Sequence, residues 1–135
     1  MKAAILVVED NRDNMELMEY LLTAFGYQPI LALGGADAIR SAREHPPDLI
    51  LMDLQMPEMD GHEARAEIRK EPSLDGCTIV AVTAFAMLGD QERILAAGFD
   101  GYISKPIAPE SFVAHVERFL PPELHASRDG TPSDR

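Results

Sequence analysis

Residues Leu49 to Gly61 constrain the fold more than any other stretch, because Leu-Ile-Leu-Met-Asp-Leu-Gln-Met-Pro-Glu-Met-Asp-Gly drives an unbroken apolar run into a lone carboxylate and then stops. Leu49, Ile50, Leu51 and Met52 lack the polar alternation of a strand with one wet face. Such a run is expected as a strand covered on both faces, which occurs mainly in parallel α/β sheets. Pro57 and Gly61 then punctuate a loop. Asp53 is thereby set at the carboxyl end of a buried strand, the edge at which open α/β sheets bind ligands. Taken alone, the same residue is equally consistent with an ordinary acidic loop position.

The rest of the chain alternates in the same way. Ala4 to Val8 reads as a strand ending at Glu9-Asp10, and Asn11 can cap the helix carrying Met15, Leu17, Met18, Leu21, Leu22 and Phe25, which Gly26 stops. Gln28 to Leu33 is a second strand and Ala36 to Glu44 a second helix, barred from continuing by Pro46-Pro47. Gly61 to Lys70 follows the third strand as a helix, then Pro72 to Gly76 as a loop. Thr78 to Val82 is a fourth strand ending at Thr83, and Leu88 to Ala97 a fourth helix whose start is blurred by Phe85, Ala86, Met87 and Gly89. Gly101 to Ser104 is a fifth strand ending at Lys105-Pro106, after which Pro109 opens a helix with Phe112, Val113, Val116, Phe119 and Leu120 on one side. Five strand and five helix signals in alternation predict a three-layer α/β/α sandwich on a five-stranded parallel sheet. Residues 1–121 are expected as its single domain and 122–135, polar and aperiodic, as a disordered tail.

Composition narrows the function. At 135 residues with 46% hydrophobic content, the chain has material for one core. A formal net charge of −11 opposes a phosphate backbone, so no nucleic-acid partner is expected. No apolar run approaches a bilayer span, and Met1-Lys2-Ala3-Ala4 enters a strand directly, so no membrane insertion and a cytoplasmic location are expected. Cys77 is the single cysteine, which excludes an internal disulfide, and the four histidines have no metal-ligand spacing. With no basic neighbour in sequence, Cys77 is read as packing rather than as a redox sensor.

Chemistry assembles from the strand ends. Glu9-Asp10, Asp53, Thr83 and Lys105 each follow an apolar run, and parallel strands bring those ends to one edge. Converging carboxylates repel one another and need a cation, for which hard oxygen ligands favour Mg²⁺. Lys105 can present a point charge, and the Thr83 hydroxyl a hydrogen bond, to a phosphoryl oxygen. Asp53 is then free to act as the nucleophile of an in-line phosphoryl transfer. Each residue also has an ordinary role: Glu9-Asp10 at a helix start, Thr83 as a strand-end hydroxyl, Lys105 as a solvated lysine. It is their joint placement that argues for a site.

From Lys2 to Leu120 the chain resembles the receiver domain of two-component response regulators. The resemblance rests on Val8-Glu9-Asp10-Asn11, Leu51 to Pro57, Asp60-Gly61, Val82-Thr83-Ala84 and Tyr102 to Pro106. It implies a flavodoxin-like sheet of order 2-1-3-4-5, with Asp53 as phosphoacceptor. It implies a Mg²⁺ site of Asp10, Asp53, Glu9 (often through water) and the Gln55 backbone carbonyl. Thr83, the Ala84 backbone and Lys105 would bind the phosphoryl group, Thr83 and Tyr102 would form the switch, and Lys105-Pro106 would be a cis peptide. The implied partners are a sensor histidine kinase or histidine phosphotransfer protein, and a downstream protein met by the face of fourth helix, fifth strand and fifth helix. Ala81 to Met87, Gly89-Asp90 and Tyr102 to Ile107 look most like small stand-alone DivK-type regulators. Receivers of hybrid histidine kinases look similar; the start at Met1 and the end soon after the last helix favour a stand-alone protein. Two other classes of function fit the residues less well. A haloacid-dehalogenase-type phosphatase would carry a second aspartate where Gln55 stands, and a phosphate-independent adaptor would be expected to have lost Asp53, Lys105 or the acid pair.

Overall fold

The computed structural model describes residues 2–126. Within them lie five strands, β1 (Ala4–Val8), β2 (Gln28–Ala32), β3 (Leu49–Asp53), β4 (Thr78–Thr83) and β5 (Gly101–Ser104). Between and after them run five helices, α1 (Arg12–Ala24), α2 (Gly35–Glu44), α3 (Gly61–Ile68), α4 (Leu88–Ala96) and α5 (Phe112–Glu117). All strands are parallel in the order β2-β1-β3-β4-β5, the expected architecture. The chain steps outward from β1 to β2, then reverses toward β3, and right-handed crossovers put helices on opposite faces when that direction changes.

The unalternating apolar runs divide by parity. Ile5, Val7, Leu49, Leu51, Val80, Val82 and Ile103 pack with Met18, Leu21 and Leu22 of α1 and Phe112, Val113 and Val116 of α5. Leu6, Val8, Ile50, Met52, Ile79 and Ala81 pack on the other face with Ala38, Ile39 and Ala42 of α2, Ala64 and Ile68 of α3, and Ile94 of α4. Every residue of β3 is buried, as a central strand requires, whereas β2 at the edge is half-exposed and carries Pro29, which removes a donor from that edge.

Local signals set the helix ends. Asn11 accepts a hydrogen bond from the Asn14 N–H at 2.9 Å and so caps α1. Asp60 and Glu63 form a reciprocal capping box at the start of α3. Two expectations fail. Pro109 does not open α5: the N–H groups of Ser111 and Phe112 both turn back to the Ala108 carbonyl, and Ser111, with φ −124°, interrupts helical geometry, so α5 begins at Phe112. The segment expected as a tail from residue 122 is packed over residues 122–126, through a 3₁₀ turn at Pro122–Leu124 and contacts of Leu124 and Ala126 with the α1/α5 core. The polarity of the whole tail hid two apolar residues at its start; residues 127–135 of that expectation lie outside the described residues.

Candidate functional site

Glu9 and Asp10 follow β1, Asp53 and Thr83 end β3 and β4, and Lys105 follows β5. The register Val8↔Met52, Asp53↔Val82 and Thr83↔Ser104 carries these ends to one edge of the sheet. Among the described residues the buried polar or charged ones are Glu9, Asp53 and Thr83, at 0%, 3% and 3% exposure. All three belong to this cluster. Buried polar groups are costly unless partnered, so their concentration at one point marks it off from the rest of the domain.

The partners are few. Lys105 Nζ lies 3.1 Å from Glu9 Oε1, and 3.3 Å from Asp53 Oδ1. The Asn11 N–H donates to Glu9 Oε2 at 3.2 Å and the Gln55 N–H to Asp53 Oδ1 at 3.2 Å. Glu9 Oε1 is buried and, although Lys105 is near, no donor is aligned on it. Burial, then the charge of Glu9, holds the Asp53 carboxyl above the usual range. Loss of solvation, then the hydrogen bond and charge of Asp53, does the same to Asp10. Burial works against the Lys105 ammonium, but Glu9 and then Asp53 outweigh it and raise its pKa. One lysine thus faces three carboxylates.

Those carboxylates fit a metal. Glu9, Asp10 and Asp53 each offer an oxygen, and these oxygens lie within 4.8 Å of one another. A hard, all-oxygen donor set with an orphaned buried oxygen and excess negative charge suits Mg²⁺. Gln55 is exposed directly after this set, with its N–H already committed to Asp53.

Around the acids, Thr83 Oγ1 accepts from the Phe85 N–H at 3.0 Å, which keeps its own proton available to a further acceptor and ties the loop after β4 to the hydroxyl. Ala84 is exposed at the start of that loop. Tyr102, paired with Ala81 in the sheet, is half-buried against the α2/α3/α4 core rather than inside it. The Lys105-Pro106 peptide is cis. Leu54, Gln55, His62, Thr83, Phe85 and Ile94 help line an open cleft beside the acids.

One contributor was not read as such from sequence. A Cβ on Gly61 would lie 2.5 Å from the Asp53 carbonyl oxygen and 2.9 Å from Leu54 Cα, so only glycine lets α3 press against the end of β3. In the sequence Asp60-Gly61 is a motif of the resemblance and Gly61 a loop punctuation, and neither reading tells what approaches the glycine. The histidines stay outside the acid cluster, with His62 meeting the Phe99 ring edge-on at 5.3 Å. Cys77 is buried, and burial pushes its thiol up to about 11, which leaves it a packing residue at neutral pH.

Comparison with known proteins agrees with this geometry. The family described as "Response regulator receiver domain" matches residues 5–117. The polar-differentiation response regulator DivK of Brucella ovis is 44% identical over 120 residues, covering 89% of this chain and 98% of its own. The chemotaxis protein CheY4 of Vibrio cholerae superposes with a TM-score of 0.83 at 26% identity, over 89% of this chain and 100% of its own. The receiver domain of a sensor histidine kinase from Pseudomonas aeruginosa, solved with a magnesium ion coordinated in its active-site cleft, gives a TM-score of 0.79 at 37% identity, over 88% and 98% of the two chains.

Proposed function

This chain belongs to the response regulator receiver domain family, and from that premise we propose that it accepts a phosphoryl group on Asp53 and thereby switches its binding to other proteins. It is a DivK-like signalling protein of two-component type, and no enzyme family is indicated. Among the described residues no helix is long and apolar enough to cross a membrane; we assign it to the cytoplasm, with no nucleic-acid partner. The observation that carries the reading is the meeting of buried Glu9 and Asp53 with Lys105 at 3.1 and 3.3 Å, from three different strand ends.

Asp53 attacks phosphorus in line, forming a P–O bond as the bond to the donor nitrogen of a kinase or phosphotransfer histidine breaks. Lys105, held by both carboxylates, can turn toward a phosphoryl oxygen when that charge arrives. The Thr83 hydroxyl and the Ala84 N–H are assigned to two further oxygens. Glu9, Asp10, Asp53 and the Gln55 carbonyl would hold Mg²⁺, which when bound neutralises negative charge on the acids and on the phosphoryl group. Positioning and charge compensation are most of what this transfer requires. Because the Phe85 N–H rests on Thr83 Oγ1, a hydroxyl drawn toward the phosphoryl group pulls the loop with it; Tyr102, half-buried beside α4, is assigned as the second switch residue. Phosphorylation shifts the population only by making better contacts in one state than in the other. The downstream partner is assigned to the α4, β5 and α5 face.

Intact mass after acetyl phosphate treatment, with and without Mg²⁺, tests the reading. A Mg²⁺-dependent phosphoryl adduct on the wild type that is absent from Asp53→Asn is expected. An adduct that persists in Asp53→Asn moves the acceptor elsewhere. No adduct from either acetyl phosphate or a kinase donor makes the chain a phosphate-independent adaptor.

A further inference from the structure

Helix α5 cannot hold itself. It has six residues, and Ser111 at its start makes no side-chain capping bond; helices so short are marginal without outside partners. Partners for its far end come from the residues that follow it. The chain turns at Pro121, forms the 3₁₀ turn at Pro122–Leu124 through Leu124 N–H to Pro121 carbonyl at 2.9 Å, and crosses back over the α1/α5 core. His125 Nε2 lies 2.8 Å from the Glu117 carbonyl oxygen and 3.0 Å from that of Leu120. Carbonyls only accept, so this nitrogen carries the proton; it is a second donor to the Glu117 carbonyl, which already takes the Leu120 N–H at 3.2 Å, and it caps the Leu120 carbonyl just past α5. Ala126 donates its N–H to the Tyr27 hydroxyl at 3.0 Å, and that hydroxyl donates in turn to the Glu117 carboxylate. Tyr27 is 1% exposed, in the turn between α1 and β2. Gly26 beside it, at φ +92°, leaves the room that Ala126 fills: a Cβ there would lie 2.9 Å from the Ala126 Cβ.

We propose that residues 121–126 are a closing strap, with Tyr27 as its anchor and His125 as its cap, which ties α5 to the α1–β2 turn and keeps α5 folded. The strap lies beyond residue 117, where the match to the receiver family ends. It makes the end of α5 a conditional element: when the strap lifts, the Leu120 carbonyl loses its cap, the Glu117 carbonyl keeps only the Leu120 N–H, and Tyr27 loses a donor. Its contacts are with α5, Tyr27 and Gly26, while the acid cluster is built at the opposite ends of the strands, so the strap acts on the helix without acting on phosphoryl chemistry.

Hydrogen exchange by mass spectrometry on three chains, the full sequence, one ending at Ala126 and one ending at Leu120, tests this. The chain ending at Leu120 is expected to exchange amides of α5 faster by about tenfold or more, with α4 unchanged. Its melting temperature should fall by about 5 °C or more. The chain ending at Ala126 should keep the protection, and Tyr27→Phe in the full chain should show a smaller rise confined to α5 and the α1–β2 turn. Unchanged α5 exchange in the chain ending at Leu120 overturns the proposal. So does a full loss already present in the chain ending at Ala126, which would transfer the role to residues 127–135. Acetyl phosphate labelling should be the same in all three chains; labelling lost only with the strap would show that it reaches the acid cluster, and would overturn its confinement to α5.

Discussion

The two ends of the sheet both carry aspartates, and they treat them in opposite ways. At the amino end, Asp48 precedes β3 and Asp100 precedes β5, and each makes the same pair of bonds to the strand beside it. Asp48 gives its N–H to the Ala4 carbonyl and takes the Ala4 N–H on its carboxylate, both at 2.8 Å; Asp100 does so with Ile79, also at 2.8 Å. Each carboxylate is exposed, and each ends up with a donor: Asp100 has Arg69 as well, at 3.2 Å. At the carboxyl end, Glu9 and Asp53 are buried, share one lysine, and leave an oxygen without a donor. Satisfied polar groups at one end fasten strands, while unsatisfied carboxylate oxygens at the other create demand for a cation.

Removing a fastener should cost the most stability. Asp100→Ala leaves the N–H of fully buried Ile79 without its acceptor, a loss of about 1–3 kcal/mol. Denaturant melts should show that loss while Mg²⁺-dependent labelling by acetyl phosphate continues on the folded protein. Labelling abolished with stability intact would mean that the two ends are not separate in function.

That clamp was not legible in the sequence, and the reason is physical. Parallel order brings every strand's carboxyl end to one edge whatever the register, so Glu9, Asp53, Thr83 and Lys105 could be grouped from their positions after apolar runs alone. Asp48 and Asp100 fasten the strands through the backbone N–H of a residue 44 or 21 positions away, which depends on register. Apolar runs and capping residues likewise located the strands and α1, because those signals are local. The start of α5 and the packing of residues 122–126 depend on tertiary contacts of Phe112, Leu124 and Ala126 that no periodicity reports. The pressure of Gly61 on the Asp53 carbonyl is of the same kind, since glycine announces freedom but not what approaches it.

Relieving the carboxyl end should have the reverse sign and a smaller size. Asp53 has its pKa raised by burial and by Glu9, so the fold binds its proton more tightly than the unfolded chain does. Its contribution is therefore fully favourable below the unfolded value and is lost as pH rises through the raised folded value. Without Mg²⁺ at neutral pH, Asp53→Asn should melt above the wild type. The gap should close as pH falls from neutral toward about 4, where the unfolded carboxyl takes up its proton, and it should narrow when Mg²⁺ is added to the wild type. A mutant less stable than the wild type at neutral pH without metal would show that Lys105 already compensates the acids in full.

The smallest effect sharpens the contrast, because it tests whether the carboxyl end also stores backbone strain. Glu58, in the loop between β3 and α3, has φ 69°, a left-handed conformation that a Cβ disfavours. The conformation costs a non-glycine residue about 1–2 kcal/mol, and a glycine there gives back about 0.5–1 kcal/mol through its freer unfolded chain. Glu58→Gly should therefore stabilise the protein by about 0.5–1 kcal/mol, the difference of the two, read as a shift in denaturant midpoint at constant slope. The same loop carries Gln55 two residues after Asp53, so the labelling rate with acetyl phosphate is the informative companion measurement. A stabilised variant with an unchanged rate would make the strain incidental to the acid cluster. A stabilised variant that labels more slowly would mean that the loop is held in a costly shape because Gln55 must stand where it does, and a destabilised one would remove strain from the account of this end altogether.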